Sequence, residues 1–449
     1  MVYSPIPKTD HPQNEKDYRP VSILPALSKV FERLVLKQLI SYIEELSLLV
    51  PSISGFRKGH SATTTLLGIR DDLLRAMKRG EVSLMVLADY SKAFDTVRLK
   101  TVLTKLHPLG FSNEFLTWMV HYLSDRQFVQ IDDKISSIET VLFGVPQGSI
   151  LGPLISNLYV SDLQNHIKCP FYQYADDTTF FVHSKIKDLA NGIMELNDAI
   201  SRVGECSSES NLALKETKTK WMLVYTRQKS RAHELQDHYP LISCNGKLLE
   251  LVTTVKILGV HMDKHLTWSD HITELFTSCY KALAVLRKLR NLAPYHVRKQ
   301  LLESLVLSKL DYMCVLFYSL PDYQMKRLER VETTSASYVF GRYAVLEDLQ
   351  KLNWLPIIER RDLAMLKIAH KALYDDTWPE YLRLKFHTVS AYNLRSLEAP
   401  KLAIPAESVT FQDSAARLFD VVPDKLRHET DYDKFVKFVK NFLKQRAYD

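Results

Sequence analysis

Cysteine is sparse in this chain, and the five residues that occur (Cys169, Cys206, Cys244, Cys279 and Cys314) are odd in number, widely spaced and nowhere arranged as C-x-x-C. A disulfide framework and a structural zinc site are therefore not expected. Their flanking sequences are unrelated, so the near-regular spacing is not a repeat. No uninterrupted apolar run is long enough to cross a bilayer, and Met1 to Lys8 lacks the apolar core of a secretory signal. The expectation is a soluble, intracellular chain with no membrane partner. Low-complexity tracts are missing too, and with 46% apolar residues in 449 the chain is neither disordered nor a small module. Its length suits two or three domains. A phosphate-binding G-x-x-x-x-G-K-[ST] loop, a G-x-S-x-G elbow and an H-E-x-x-H helix are all absent, which removes those NTPase, hydrolase and metalloprotease classes. His261, His265 and His271 read as surface histidines.

Acidic residues are missing altogether from 275–302, where Lys281, Arg287, Lys288, Arg290, Arg298 and Lys299 occur. Such a one-sign stretch can follow a phosphate backbone; the plainer alternative is a helix surface balanced by acids elsewhere. Over the whole chain 59 Lys and Arg against 52 Asp and Glu give +7, which favours a polyanionic partner only slightly.

Proline punctuates the first 27 residues, which are expected to be extended or turning chain. Ser28 then reads as the cap of a helix carrying Phe31, Leu34, Val35, Leu39, Ile40 and Ile43 at helical spacing. Residues 83–88 form a short apolar run, suited to a buried strand, that ends on Asp89. Helical patterns follow at 97–107 and 150–167, with strand-like runs at 127–131 and 139–143 between them. PFYQY-ADD-TTFFV reads as a hairpin with an acidic tip, and a polar helix is expected over about 187–206. TKWMLVYT and KILGV read as strands, and beyond about residue 270 the pattern is helical. The last helix carries Phe435, Phe438 and Phe442 at helical spacing and reads as amphipathic, docked on the core.

Three segments carry chemistry: Asp89 at the end of a strand, Asp176 and Asp177 at a hairpin tip, and between them the Gly/Pro loop Gly144 to Ser149. Adjacent aspartates repel, and nothing local supplies a counter-ion. A divalent cation with a preference for hard oxygen ligands, such as Mg²⁺, resolves that conflict. If Asp89 lies beside the tip, the three carboxylates suit two metals about 3.5–4 Å apart, the arrangement for in-line nucleotidyl transfer. Any one of these pieces alone would be an ordinary turn or cap.

The ordered set Ile6 to Lys8 (IPK), Tyr18 to Leu34 (YRPVSILPALSKVFERL), Gly55 to Ser61 (GFRKGHS), Asp89 to Val97 (DYSKAFDTV), Gly144 to Pro153 (GVPQGSILGP), Tyr174 to Thr178 (YADDT) and Leu258 to Val260 (LGV) resembles the reverse transcriptases of non-LTR retrotransposons, LINE-type and jockey-like. The resemblance implies an α+β right-hand polymerase, with fingers and palm over 1–265 and a mainly helical thumb and C-terminal region over 266–449. It implies an RNA-directed DNA polymerase acting on an RNA template, a DNA primer and target DNA, and deoxynucleoside triphosphates, with Mg²⁺ or else Mn²⁺. A ribonucleoprotein of nucleus and cytoplasm is the corresponding location.

By the same resemblance, Asp89, Asp176 and Asp177 are the catalytic, metal-holding carboxylates. Lys8 and Arg19 grip the incoming triphosphate, Phe94 excludes a 2′-hydroxyl, and Gln147 lies near the incoming nucleotide. Lys218 matches a lysine that protonates pyrophosphate, although Lys215 stands where the family carries Asn, and a solvated basic edge is the alternative. Arg287, Lys288, Arg290, Arg298 and Lys299 fall in the thumb, where nucleic acid is held. Leu258 to Val260 matches a hairpin that presses on the primer end. Asp95 reads as a helix cap rather than a ligand. Two other readings stand beside this one: a catalytically impaired fragment that only binds RNA, since relatives carry more fingers sequence upstream, and a maturase-like RNA-binding protein.

Overall fold

The computed structural model describes residues 2–91, 96–124, 126–131, 133–140, 143–232, 242–386, 402 and 410–448. The chain forms two compact units: 1–61, 83–223 and 234–252 make the first, and 62–82, 224–233 and 253–449 the second. Helices and strands are mixed in the first and helices dominate the second, so the class is α+β.

The first unit is organised around a sheet with strand order Glu250–Leu251, Lys220–Val224, Val82–Ser91, Asp177–Ser184 and Phe171–Tyr174. In its central strand Leu84, Met85 and Val86 are all buried. Side chains on both faces are covered, which is why the segment reads as a continuous apolar run rather than an alternating one. The helix Leu189–Glu209 covers the sheet with Leu196, Ile200 and Val203. Full burial of each such side chain contributes about 1.5–3 kcal/mol. The helical run expected over 150–167 is two helices, Gly152–Val160 and Leu163–His166.

The proline-rich start pairs with itself. Strands Val2–Pro7 and Tyr18–Ile23 are antiparallel, and Pro5 faces Pro20 in register. Neither proline can donate to the ladder, so the pairing is hidden from a reading that treats proline as a strand breaker. The following helix begins at Ala26 with Pro25 at the cap position, so Ser28 lies in its first turn instead of capping it.

In the second unit a short hairpin, Thr254–Ile257 with Val260–Asp263, precedes the helices Ser269–Leu289, Tyr295–Leu302, Asp322–Phe340, Ile357–Tyr374, Phe411–Val421 and Tyr432–Tyr448. The last of these docks through Phe435, Val439 and Leu443, while Phe438 stays 42% exposed. The buried Ala62–Lys78 helix also belongs here. Its Arg70 guanidinium donates to Val315 O (3.1 Å) and Leu316 O (2.9 Å) and pairs with Asp71, whose other oxygen accepts from Phe411 N (2.8 Å). That buried ion pair is therefore fully hydrogen-bonded, the condition under which such a pair is tolerated. Among the described residues no helix is long and apolar enough to cross a membrane.

The three histidines are not a surface group. His271 is buried against Phe317. His265 Nδ1 lies 2.8 Å from Tyr225 O, and His261 pairs with Glu274.

Glu332, 2% exposed, accepts from Ile357 N at 2.9 Å, and burial pushes its carboxyl from 4.5 up to about 8. The folded state thus keeps a proton that the unfolded chain releases, so this residue costs stability progressively as pH rises from about 4.5 to about 8. Glu332→Gln keeps the acceptor for Ile357 N and carries no charge. Its unfolding midpoint should match the parent near pH 4.5 and exceed it by a growing margin up to pH 8. A margin that does not change with pH would contradict the assignment.

Candidate active site

Asp89, partly buried, lies two residues before the end of the central strand, where the apolar run stops. The neighbouring strand begins at Asp177, and the Tyr174–Asp177 pair closes a two-residue turn made of Ala175 and Asp176. Ala175 has φ +55°, a left-handed conformation that costs a non-glycine residue about 1–2 kcal/mol. That strain is held at the tip that presents the two aspartates. Gln173 Nε2 donates to Ala175 O at 3.1 Å and helps to fix the turn.

Although Asp177 reaches solvent, partial desolvation at the tip, followed by the charges of Asp176 and Asp89, pushes its carboxyl up to about 6. Asp89 and the tip aspartates are thus close enough to repel one another, as expected of a site built for a divalent cation. Lys218 offers them a cation, its Nζ lying 3.8 Å from Asp89 Oδ1. A single exposed ammonium does not neutralise three carboxylates, and the all-oxygen donor set fits a hard metal ion.

Lys218 is set apart from its neighbours. Lys215 N donates to Asp89 O (2.9 Å), and Asp89 N donates to Thr219 Oγ1 (3.4 Å), so the 215–219 turn is tied to the aspartate strand. Lys220 pairs instead with Glu250 at 3.1 Å. Of the lysines at 215, 218 and 220, the ion pair to Asp89 is made by Lys218.

The loop that follows Pro51 supports the tip from below. Ser54 N donates to Gln173 O (2.8 Å) and Gln173 N to Ser52 O (2.9 Å). Gly55 then runs so close to the turn that an added Cβ would lie 2.4 Å from Ala175 N and 3.1 Å from its Cα. Asn157 Nδ2 donates to Gly55 O. Arg57 donates to Val50 O (2.9 Å) and Ile53 O (3.1 Å), holding this loop in shape. In the sequence GFRKGHS carries only the resemblance, and nothing local marks Gly55 or Arg57 for this role.

Lys8 and Arg19 are exposed on the N-terminal hairpin, Lys8 just beyond its first strand and Arg19 paired in register with Ile6. Gln147 is joined to the same hairpin through its carbonyl, which accepts from Ser22 N at 2.7 Å. Gly148 has φ +111°, and a Cβ there would meet Ser22 O at 2.9 Å, so the approach requires glycine. The loop is secured by Glu32, a buried residue that sequence reasoning passed over. Its carboxylate accepts from Ile150 N (2.5 Å) and Tyr122 OH (3.0 Å). The structure therefore groups Asp89, Asp176, Asp177 and Lys218 in one cluster, and Lys8, Arg19 and Gln147 around one hairpin. Phe94 and Asp95 lie outside the described residues.

Arg287 and Lys288 lie in the last turn of the Ser269–Leu289 helix, Arg290 follows it at the C-cap position, and Arg298 and Lys299 lie on the Tyr295–Leu302 helix, all in the second unit. Lys299 pairs with Glu303 at 3.8 Å, an acid just beyond the one-sign stretch. In the hairpin of this unit, Leu258 and Gly259 form the turn, and Tyr312 OH donates to Leu258 O at 2.9 Å.

Residues 6–262 match the family model described as reverse transcriptase (RNA-dependent DNA polymerase). The chain belongs to this family. An RNA-directed DNA polymerase from the mobile element jockey of Drosophila melanogaster is 31% identical over 275 residues, covering 59% of this chain and 29% of that protein. A probable RNA-directed DNA polymerase from transposon BS of the same organism is 29% identical over 305 residues, covering 65% of this chain and 32% of that one. The chain thus spans about a third of the length of these relatives. Among solved structures, apo telomerase from Candida tropicalis has a TM-score of 0.41 at 12% identity, over 75% of this chain and 55% of that chain. The family is one of divalent-metal enzymes that bind a nucleic-acid template, and the α+β class expected from the sequence is the one observed.

Proposed function

We propose that this chain extends a primer with deoxynucleotides on an RNA template, as the polymerase of a non-LTR retrotransposon. The observation that carries this reading is geometric: Asp89 lies on the strand paired beside the one that Asp177 opens, with Asp176 in the adjoining turn. The primer 3′-hydroxyl attacks the α-phosphorus of a deoxynucleoside triphosphate and gives up its proton to water. A new P–O bond forms as the bond to the β-phosphate oxygen breaks, and pyrophosphate leaves.

Asp89, Asp176 and Asp177 would hold the divalent ions, Mg²⁺ being the first choice for an all-carboxylate set. When bound, these ions supply positive charge that lowers the hydroxyl pKa and steadies the leaving oxygen. The strained Ala175 turn and the Gly55 loop keep the tip carboxylates in place. Lys218 keeps positive charge beside Asp89, where negative charge builds during transfer. Lys8 and Arg19 bind the triphosphate, Gln147 lies near the incoming nucleotide, Phe94 excludes the 2′-hydroxyl, and Arg287, Lys288, Arg290, Arg298 and Lys299 hold the nucleic-acid backbone.

Primer extension by the purified chain tests this. Mg²⁺-dependent incorporation of deoxynucleotides on an RNA template is expected, with ribonucleotides used at least about tenfold less well. RNA binding without incorporation, in Mg²⁺ and in Mn²⁺, would leave the chain an RNA-binding fragment.

A further inference from the structure

We propose that Asp162, His166 and Cys206 form a zinc-binding site in the first unit, distinct from the aspartate cluster. Asp162 immediately precedes the short helix Leu163–His166, and His166 follows it by one turn on the same face. Cys206 comes from the long helix Leu189–Glu209 packed against that short one. One ligand atom from each residue lies within 4.8 Å of the other two.

The chemistry of the set is what selects the metal. A thiolate, an imidazole and a carboxylate together suit Zn²⁺, whereas Mg²⁺ takes oxygen donors alone. Zinc bond lengths put tetrahedral ligand atoms about 3.3–3.7 Å apart, so closure needs side-chain movements of roughly 1 Å. Asp162 and His166 are half-exposed and Cys206 is buried, which leaves an approach from solvent and a fourth position for water.

The ordinary explanation covers only part of the cluster. Lys105 Nζ lies 2.8 Å from Asp162 Oδ1 and also donates to Ser210 Oγ at 2.7 Å. That pair occupies one oxygen of Asp162 and accounts for neither the His166 ring nor the Cys206 thiol. Lys105 also offsets one of the two anionic ligands, so zinc with its three ligands and this lysine carries a net charge near +1. Zinc here would tie together the two packed helices Leu163–His166 and Leu189–Glu209. The inference does not depend on the polymerase reading.

The test is metal content and spectroscopy on the whole chain. After exposure to zinc and exhaustive dialysis, the parent should retain about one zinc per chain, and Cys206→Ser and His166→Ala should retain less than a tenth of that. Cobalt substitution should give the parent a thiolate-to-cobalt charge-transfer band that Cys206→Ser lacks. At a hundredfold excess over the dissociation constant, zinc should raise the parent's unfolding midpoint by about 3–5 °C, and Mg²⁺ should not. His166→Ala changes a half-exposed ring, so it reports even if Cys206→Ser fails to fold. Absence of retained zinc in the parent, or equal retention by parent and His166→Ala, would overturn the proposal. Primer-extension results bear on neither outcome.

Discussion

Asp177→Asn should lower primer extension on an RNA template by at least about 10³-fold, because it removes a ligand of the reacting centre rather than a supporting contact, whose loss costs only 10–100-fold. The same change should leave the protein at least as stable as the parent. Asn is isosteric with Asp, and the charge it removes is one that partial desolvation and two neighbouring aspartates disfavour. The sign follows from linkage. The Asp177 carboxyl is raised from 3.8 to about 6, so without metal its ionisation costs stability as pH rises through that interval, and the full cost persists above it. An inactive variant whose midpoint at pH 7.5, measured in chelator, equals or exceeds the parent's is the signature of a residue kept for chemistry. Full activity in Asp177→Asn would remove the foundation of the polymerase reading. A lowered midpoint would instead point to a structural role for this carboxylate.

Gly55→Ala should be the most damaging change that touches no charged group. Its Cβ would lie 2.4 Å from Ala175 N, and the obstacle is backbone, which cannot swing aside as a flexible side chain can. Either the 52–55 loop or the aspartate turn must shift. The loop is pinned by the two hydrogen bonds with Gln173 and by Arg57, and the turn already carries the Ala175 strain. Overpacking of this kind costs about 1–3 kcal/mol. Displacing reacting groups by about 1 Å costs on the order of 10²-fold in rate. The expected result is a loss of that size in the single-turnover extension rate, with template affinity changed less than about threefold. A variant with a lowered midpoint and undiminished rate would show that Gly55 serves folding alone.

Much of the first unit was legible because its signals are local. An apolar run ending on Asp89 reads as a buried strand because both its faces are covered. YADD between two β-rich runs reads as a hairpin because the period changes on either side of a turn. The N-terminal pairing was not legible, since Pro5 and Pro20 suppress the strand signal at the positions that face each other. Glu32 was passed over for a different reason. A glutamate in a helix reads as a solvated side chain, and only its hydrogen bonds to Ile150 N and Tyr122 OH reveal it as the tie that holds the GVPQGS loop.

Taken alone, the order of residues determined which chemical groups this protein has to work with: carboxylates at a strand end and at a turn, cations flanking a proline-rich start, and a basic stretch beyond residue 274. Local periodicity and residue type are enough for that, because each of these features is complete within a few positions. Only the tertiary structure decided that Lys218 faces Asp89 while Lys220 pairs elsewhere, that Gly55 lies against Ala175, and that Asp162, His166 and Cys206 converge. Those are distances between segments remote in the chain. They are set by how strands and helices pack, which no local pattern encodes.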